Sequence, residues 1–327
     1  MKAVTGTLLN VTEVVIGNGG VLESDFLKAG STTESVYGAD KTTVNEGGNF
    51  VTSLNILADG TAATTQKPAD AVKLSGDFEL AGGQIINSAN QEAVRNFVVS
   101  GTNLTAKADY EFGSILAKDA NSVFNVATGN VTVADLNTVK TTISEGGSLQ
   151  ATKLTATSAD AVAVENGTLT ASLANLNLKV DSTTKTLVAD AYNANGNQNN
   201  VGTGAITLGT NGVLVISDYQ GEGTAATLTK TSIETLLVNT TTGKVGTNNG
   251  LIDIGNVDIT DNGYNTTTKR YVYKDMVHGV TTNALKQASV DVTDSTTSNT
   301  ISHSESFGNV YTGTAGLTID QGATVTL

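Results

Sequence analysis

The chain contains no cysteine and no tryptophan, a single proline (Pro68), two arginines (Arg95 and Arg270) and two histidines (His278 and His303). Each scarcity closes a class of function. Without cysteine there is no disulfide framework, no thiolate metal site and no sulfur nucleophile. The zero is also compatible with an oxidising exterior, where many cysteine-free bacterial surface proteins work. Charged residues are 15% of the chain and the net charge is -13. A polyanion is held by clustered Lys and Arg that release counterions, so nucleic acid is not an expected partner. No run of some 18 apolar residues is present, so no membrane-spanning helix is expected. The opening MKAVTGTLLNVTEVVIGNGG has no continuous apolar core of the kind a secretory leader needs. The expectation is a mature fragment behind a bare initiator Met1, or a chain exported without a cleaved leader. The closing GLTIDQGATVTL stops inside an alternating strand, which points to a fragment or to a subunit completed by a neighbour.

What the chain has instead is glycine, 35 residues of it, and short alternating segments. VTEVVI, FVTSLNIL, VKLSGDFEL, NVTVADL, AITLGTNGVLVI and GLTIDQGATVTL carry β-branched residues at period two, the strand signal. Between them lie GNGG, EGG, AGG, ENG and TNG, turns in which Gly or Asn takes positive φ. One unit recurs: TTVNEGGNFVTSLNIL from Thr42 and TTISEGGSLQATKL from Thr141, with looser copies near Val15, Val162, Ile206 and Leu317. Successive turns in the middle of the chain are about twenty residues apart, the period of one solenoid rung.

The expected fold is therefore all-β, a parallel β-solenoid (β-helix) with irregular rungs and loop insertions. Elongated β-sandwich domains are the alternative. Aromatics at 5% supply a two-sheet core poorly, while small and β-branched residues suit a narrow interior. The division expected is a solenoid over 1–263, a loop or cap insertion over 264–289 and a strand continuation over 290–327. Two stretches read as helical: NQEAVRNFVV behind an Asn90 cap, and TKTSIETLLVN around Ile233 to Val238.

Candidate chemistry is sparse. His278 and His303 sit in no metalloprotease or nucleophile-elbow motif; SHSES sets hydroxyls and Glu305 close to His303, but adjacent residues on a strand point to opposite faces, so no catalytic role is expected for either histidine. The acids of DIGNVDITDNG are the next candidates. Asp253 and Asp258 are five positions apart and face opposite sides of an unbroken strand. Asp258, Asp261 and Asn262, ahead of Gly263, offer oxygen ligands for a weak calcium site; otherwise no cofactor is expected. Tyr264, Arg270, Tyr271, Tyr273 and Lys274 concentrate aromatic and basic groups in one loop, a candidate binding surface on a rigid scaffold.

The units VNEGGNFVTSLNIL, ISEGGSLQATKL and VENGTLTASLANL resemble the passenger domains of bacterial autotransporter adhesins and related surface β-solenoids. That resemblance implies an extracellular, cell-surface location and a structural or adhesive role, and it carries no catalytic residues. The expected function is a non-enzymatic surface protein that assembles with itself into a filament or surface layer. The alternative is a host-binding fragment of a larger adhesin or phage fibre, with a host protein or glycan as partner. A polysaccharide-active enzyme built on the three acids stands furthest off.

Overall fold

The computed structural model describes residues 7–28, 34–54, 70–117, 119–156, 161–171, 178–180, 187–192, 198–200, 206–216, 228–230, 250–255, 259–293 and 299–327. The chain is all-β and dominated by parallel pairing. It divides into two compact units, Met1–Thr152 and Lys153–Leu327. Among the described residues no helix is long and apolar enough to cross a membrane.

In the first unit, strands stack in three parallel ladders. One runs through Leu8–Ile16, Tyr37–Asn45, Asp77–Ala81, Asn103–Ala106, Val123–Val126 and Thr141–Ile143. A second joins Val21–Glu23, Asn49–Thr52 and Gln84–Asn87. A third joins Ala71–Lys73, Asn96–Val98, Tyr110–Ala117 and Asn130–Thr138. Because parallel strands pair in register, alternation along each strand becomes a column across the ladder. Thr42, Phe78, Leu104, Phe124 and Thr141 form one inward column, every member 1% exposed or less. Ile16, Val44, Leu80, Ala106, Val126 and Ile143 form the next. Each large apolar member contributes roughly 1.5 to 3 kcal/mol by leaving water. Between these columns the polar positions face outward, where Asn125 Nδ2 donates to Thr105 Oγ1 at 3.2 Å, twenty residues away.

Aromatic residues are few but all seven phenylalanines are buried. Phe26, Tyr37, Phe50 and Phe78 form one cluster with ring centroids 5.0 to 6.3 Å apart. A second joins Phe97, Phe112 and Phe124, with Tyr110 stacked on Phe112. The outer surface carries an alternating charge row. Lys41 reaches Glu13 (3.7 Å) and Glu79 (3.4 Å), and Lys107 reaches Glu79 (3.3 Å); exposed pairs of this kind add little stability.

The recurring Gly-Gly has two distinct jobs. The first glycine takes positive φ: 72° at Gly19, 74° at Gly47, 91° at Gly82 and 84° at Gly146. The second is pressed against backbone one level away. A Cβ on Gly48 would lie 2.7 Å from Ile16 O, and one on Gly83 would lie 2.4 Å from Asn45 O. The turns close through Gly20 N to Gly17 O, Gly48 N to Asn45 O and Gly147 N to Ser144 O, each 2.8 Å. Tyr110 locks one corner, its hydroxyl donating to Gly83 O (2.9 Å) and accepting from Gly82 N (2.8 Å).

In the second unit, Val162–Ala171, Ile206–Ile216, Leu251–Asp253 and Val280–Thr281 pair in parallel. Asn166-Gly167 lies in register with Asn211-Gly212, and a Cβ on Gly212 would meet Val164 O at 2.1 Å, so Asn-Gly serves the same corner. An antiparallel excursion, Leu178–Val180, Leu187–Tyr192 and Gln198–Asn200, intervenes. Further on, Arg270–Val272, Ser289–Asp291 and Asn309–Tyr311 stack in parallel, as do Thr300–Ile301 with Thr318–Ile319 and Glu305–Ser306 with Val325–Thr326. They enclose Tyr273, Met276, Leu285, Val290, Val292, Ile301 and Phe307.

Two sequence expectations need restating. The stretch at 90–99 is not a helix: Ala93 bridges Ile86, and Asn96–Val98 is a strand between Ala71–Lys73 and Tyr110–Ala117. Asn90 Oδ1 accepts from Glu92 N at 3.2 Å, an Asx turn rather than a helix cap, and two strand neighbours outweigh the local helical period. The segment 264–289 supplies strands to two parallel ladders through Arg270–Val272 and Val280–Thr281, so only its first part stands off as a hairpin. The second helical stretch, at 231–239, lies outside the described residues.

The corner predicts a contrast between glycines. Gly83→Ala should destabilise by roughly 2 kcal/mol or more, because backbone must move. Gly17→Ala, with nothing within 4 Å of its Cβ, should stay within about 1 kcal/mol of the parent in urea unfolding. The same corner gives a pH dependence. Burial pushes the Tyr110 hydroxyl up to about 12, with the Gly82 amide pulling it down. The fold thus favours the protonated phenol, a contribution complete below the ordinary tyrosine value near 10 and lost as pH rises through about 12. Urea midpoints measured from pH 9 to 12 should fall across that window, and less steeply in Tyr110→Phe.

Candidate functional site

The aromatic and basic residues singled out in the sequence separate into two groups. Tyr264 and Tyr271 face each other across the antiparallel hairpin Tyr264–Asn265 and Arg270–Val272, rings 5.0 Å apart and T-shaped. Asn265 Oδ1 closes the turn by accepting from Thr267 N (2.9 Å) and Thr268 N (3.1 Å). The Arg270 guanidinium lies 3.5 Å from the centre of the Tyr311 ring and 3.9 Å from Asp291 Oδ2. Tyr264 and Tyr311 are 52% and 42% exposed, while Arg270 and Tyr271 are half-buried and Tyr271 packs against the core, so the four form a partly exposed aromatic and cationic surface. Lys274 is exposed beyond it. Tyr273 points the other way, into the core.

The proposed calcium ligands are placed as follows. Asp258 lies outside the described residues. Asp261 is exposed with φ at 65°. Asn262 is buried, its Oδ1 accepting from Val277 N at 2.8 Å, so it serves as a turn staple ahead of Gly263. Asp253 is occupied as well: Oδ1 accepts from Gly255 N (3.0 Å) and Oδ2 faces Lys286 Nζ (2.8 Å).

A cluster not expected from the sequence, where strand neighbours point to opposite faces, comes together around Glu305, which is 2% exposed. Its Oε1 accepts from the Tyr273 hydroxyl (3.0 Å) and from Gly279 N (3.2 Å), and His278 Nδ1 stands 3.7 Å away. Glu305 Oε2 is buried and has no hydrogen-bond partner among the described residues. The His278 ring stacks on His303 at 5.3 Å with planes 18° apart, and on Tyr273 at 4.5 Å. Ser302 Oγ is 3.0 Å from His303 Nδ1. One potential ligand atom from each of His278, His303 and Glu305 lies within 4.8 Å of the others.

Burial raises the Tyr273 hydroxyl well above the tyrosine range, and the charge and acceptor oxygen of Glu305 raise it further. Tyr273 is therefore a fixed proton donor to the buried carboxylate. The signal for this cluster was present in SHSES. His303 lies two positions before Glu305, in the bend between Thr300–Ile301 and Glu305–Ser306, and Val280–Thr281 packs against Glu305–Ser306, bringing His278 alongside. Tallying each histidine by itself hid the pair.

No protein-family model, curated protein or solved structure matches the chain.

The cluster predicts that Tyr273→Phe lowers stability by about 1.5 to 3 kcal/mol, the usual worth of a hydrogen bond to a charged group. Tyr264→Phe, at an exposed ring, should change it by less than about 0.5 kcal/mol. Urea unfolding at neutral pH compares the two.

Proposed function

We propose that this chain is a bacterial extracellular β-solenoid, a structural or adhesive surface element whose parallel ladders are its rungs, and that copies of it assemble edge to edge. The observation that carries the reading is a set of strand edges with apolar side chains in water. Among the described residues, Leu8–Ile16 pairs on one side only, with Tyr37–Asn45, and Val21–Glu23 only with Asn49–Thr52. Leu9, Val15 and Val21 beside those edges are 43%, 59% and 46% exposed. In the second unit Asn309–Tyr311, Thr318–Ile319 and Val325–Thr326 are each last in their ladder, and Tyr311, Leu317, Ile319 and Leu327 are exposed there.

Unpaired backbone donors and acceptors next to exposed apolar residues are a template for another strand. Parallel order favours a second copy as the occupant, because each open edge offers a strand direction that another copy of the same chain can match. The composition agrees: the sequence is spent on inward columns and corners. The resemblance to adhesin passenger domains supplies the location and the bacterial source of this reading.

A second reading, a host-binding domain of an adhesin or fibre, draws on the exposed Tyr264 and Tyr311 beside the half-buried Tyr271 and Arg270. Aromatic faces beside a cation suit the apolar face of a sugar ring or a peptide side chain.

Sedimentation velocity and negative-stain microscopy over a concentration series separate the two. Assembly should grow with concentration, and Val15→Lys, which places a charge on the open edge, should suppress it at least tenfold in threshold concentration without lowering Tm. A parent chain that stays monodisperse and monomeric at the highest concentration overturns assembly and leaves the host-binding surface as the reading to pursue.

A further inference from the structure

We propose that His278, His303 and Glu305 bind one divalent transition-metal ion of the zinc class, tying together two successive levels of the second unit. The donor set fits the ion. Two imidazoles and a carboxylate suit zinc and its neighbours, and three protein ligands leave a fourth position for water or a further group. The same set is poor for calcium, which takes six to eight oxygens.

Geometry places the ligands within reach. Their donor atoms lie within 4.8 Å of one another, whereas zinc with bonds of about 2.0 to 2.1 Å holds tetrahedral ligands about 3.4 Å apart. The remaining difference is the movement that a bound ion would draw from the side chains. Glu305 opens the strand Glu305–Ser306 and His303 sits in the bend just before it, while His278 comes from the segment beside it, next to Val280–Thr281. A bound ion therefore bridges residues 25 positions apart, as the ring stacking at 5.3 Å already does.

The independent sign of a ligand is Glu305 Oε2. Its sister Oε1 is held by Tyr273 and Gly279 N, yet Oε2 is buried with no hydrogen-bond partner among the described residues. Burying a carboxylate oxygen in this way is expensive unless a cation meets it. The outer contacts are those a metal site uses. Tyr273 and Gly279 fix the carboxylate, and Ser302 Oγ engages His303 at Nδ1, orienting the ring. Both imidazoles are part-exposed while the carboxylate is buried, so an ion reaches the carboxylate past the histidines.

The competing arrangement is a plain ion pair between a protonated His278 and Glu305 at 3.7 Å. It needs neither His303 nor a metal. Titration of tag-free, metal-stripped protein with zinc by calorimetry, with cobalt(II) absorption as a second readout, decides between them. Expected are one ion per chain, a d–d spectrum of four-coordinate cobalt, and a Tm raised by several degrees in zinc but unmoved in the same concentration of calcium. His303→Ala, at a part-exposed position, should fold normally and weaken zinc binding at least tenfold. Glu305→Gln should do the same where it folds. Zinc binding of equal strength in His303→Ala, or no binding by the parent chain, overturns the site.

Discussion

In-register parallel pairing is the constraint on which the rest of this structure depends. Once a strand pairs with the next at constant register, each inward position meets its counterpart and must be filled by something that stacks. Thr42, Phe78, Leu104, Phe124 and Thr141 show how tolerant that rule is in chemistry and how strict in burial. Two of the buried hydroxyl pairs show how the column admits them. Tyr37 and Thr42 bond each other inside the column, and Thr141 Oγ1 donates to Thr138 Oγ1 at 3.0 Å. Corners then follow from the spacing of levels. With strands about 4.8 Å apart, the chain at a corner has no room for a Cβ facing its neighbour. Glycine at the second corner position is thus a packing requirement, and glycine at the first is a dihedral one.

Much of the fold was legible in the residues because this constraint writes itself locally. Period-two alternation gave the strands, and the Gly-Gly and Asn-Gly turns gave the corners, since both are fixed by neighbours in sequence. Residues 90–99 misled because Val94, Phe97 and Val98 satisfy a helical period as well as a strand. Only pairing with Ala71–Lys73 and Tyr110–Ala117 resolves the choice, and pairing is not a local property. The low aromatic content was a weaker guide. Seven phenylalanines suffice when every one is buried and most gather in two clusters of the first unit.

The site was less legible for the same reason. Tyr273 reads as one of several exposed tyrosines until Val290, Ile301 and Phe307 are seen to enclose it. Tyr311 belongs with Arg270 only because Asp291 pairs with both Val272 and Tyr311 in successive strands. His278 and the His303–Glu305 pair are joined by packing of Val280–Thr281 against Glu305–Ser306, and no fixed spacing announces it. Here a buried position holds a carboxylate, and it is met by a tyrosine, a backbone amide and a histidine. Stacking alone does not account for a polar group placed so expensively.

The central claim is register, and the absence of native cysteine makes it directly measurable. Thr105 and Asn125 are paired, outward-facing and hydrogen-bonded to each other, whereas Thr105 and Val123 are offset by two residues. Paired Cα atoms about 4.8 Å apart fall within disulfide range, and the offset pair, at about 8 Å, falls outside it. Under mild oxidation, Thr105→Cys with Asn125→Cys should form an intramolecular disulfide nearly completely, and Thr105→Cys with Val123→Cys should form little. Equal yields from both pairs, or a preference for the offset pair, would contradict the stacked parallel register on which this account rests.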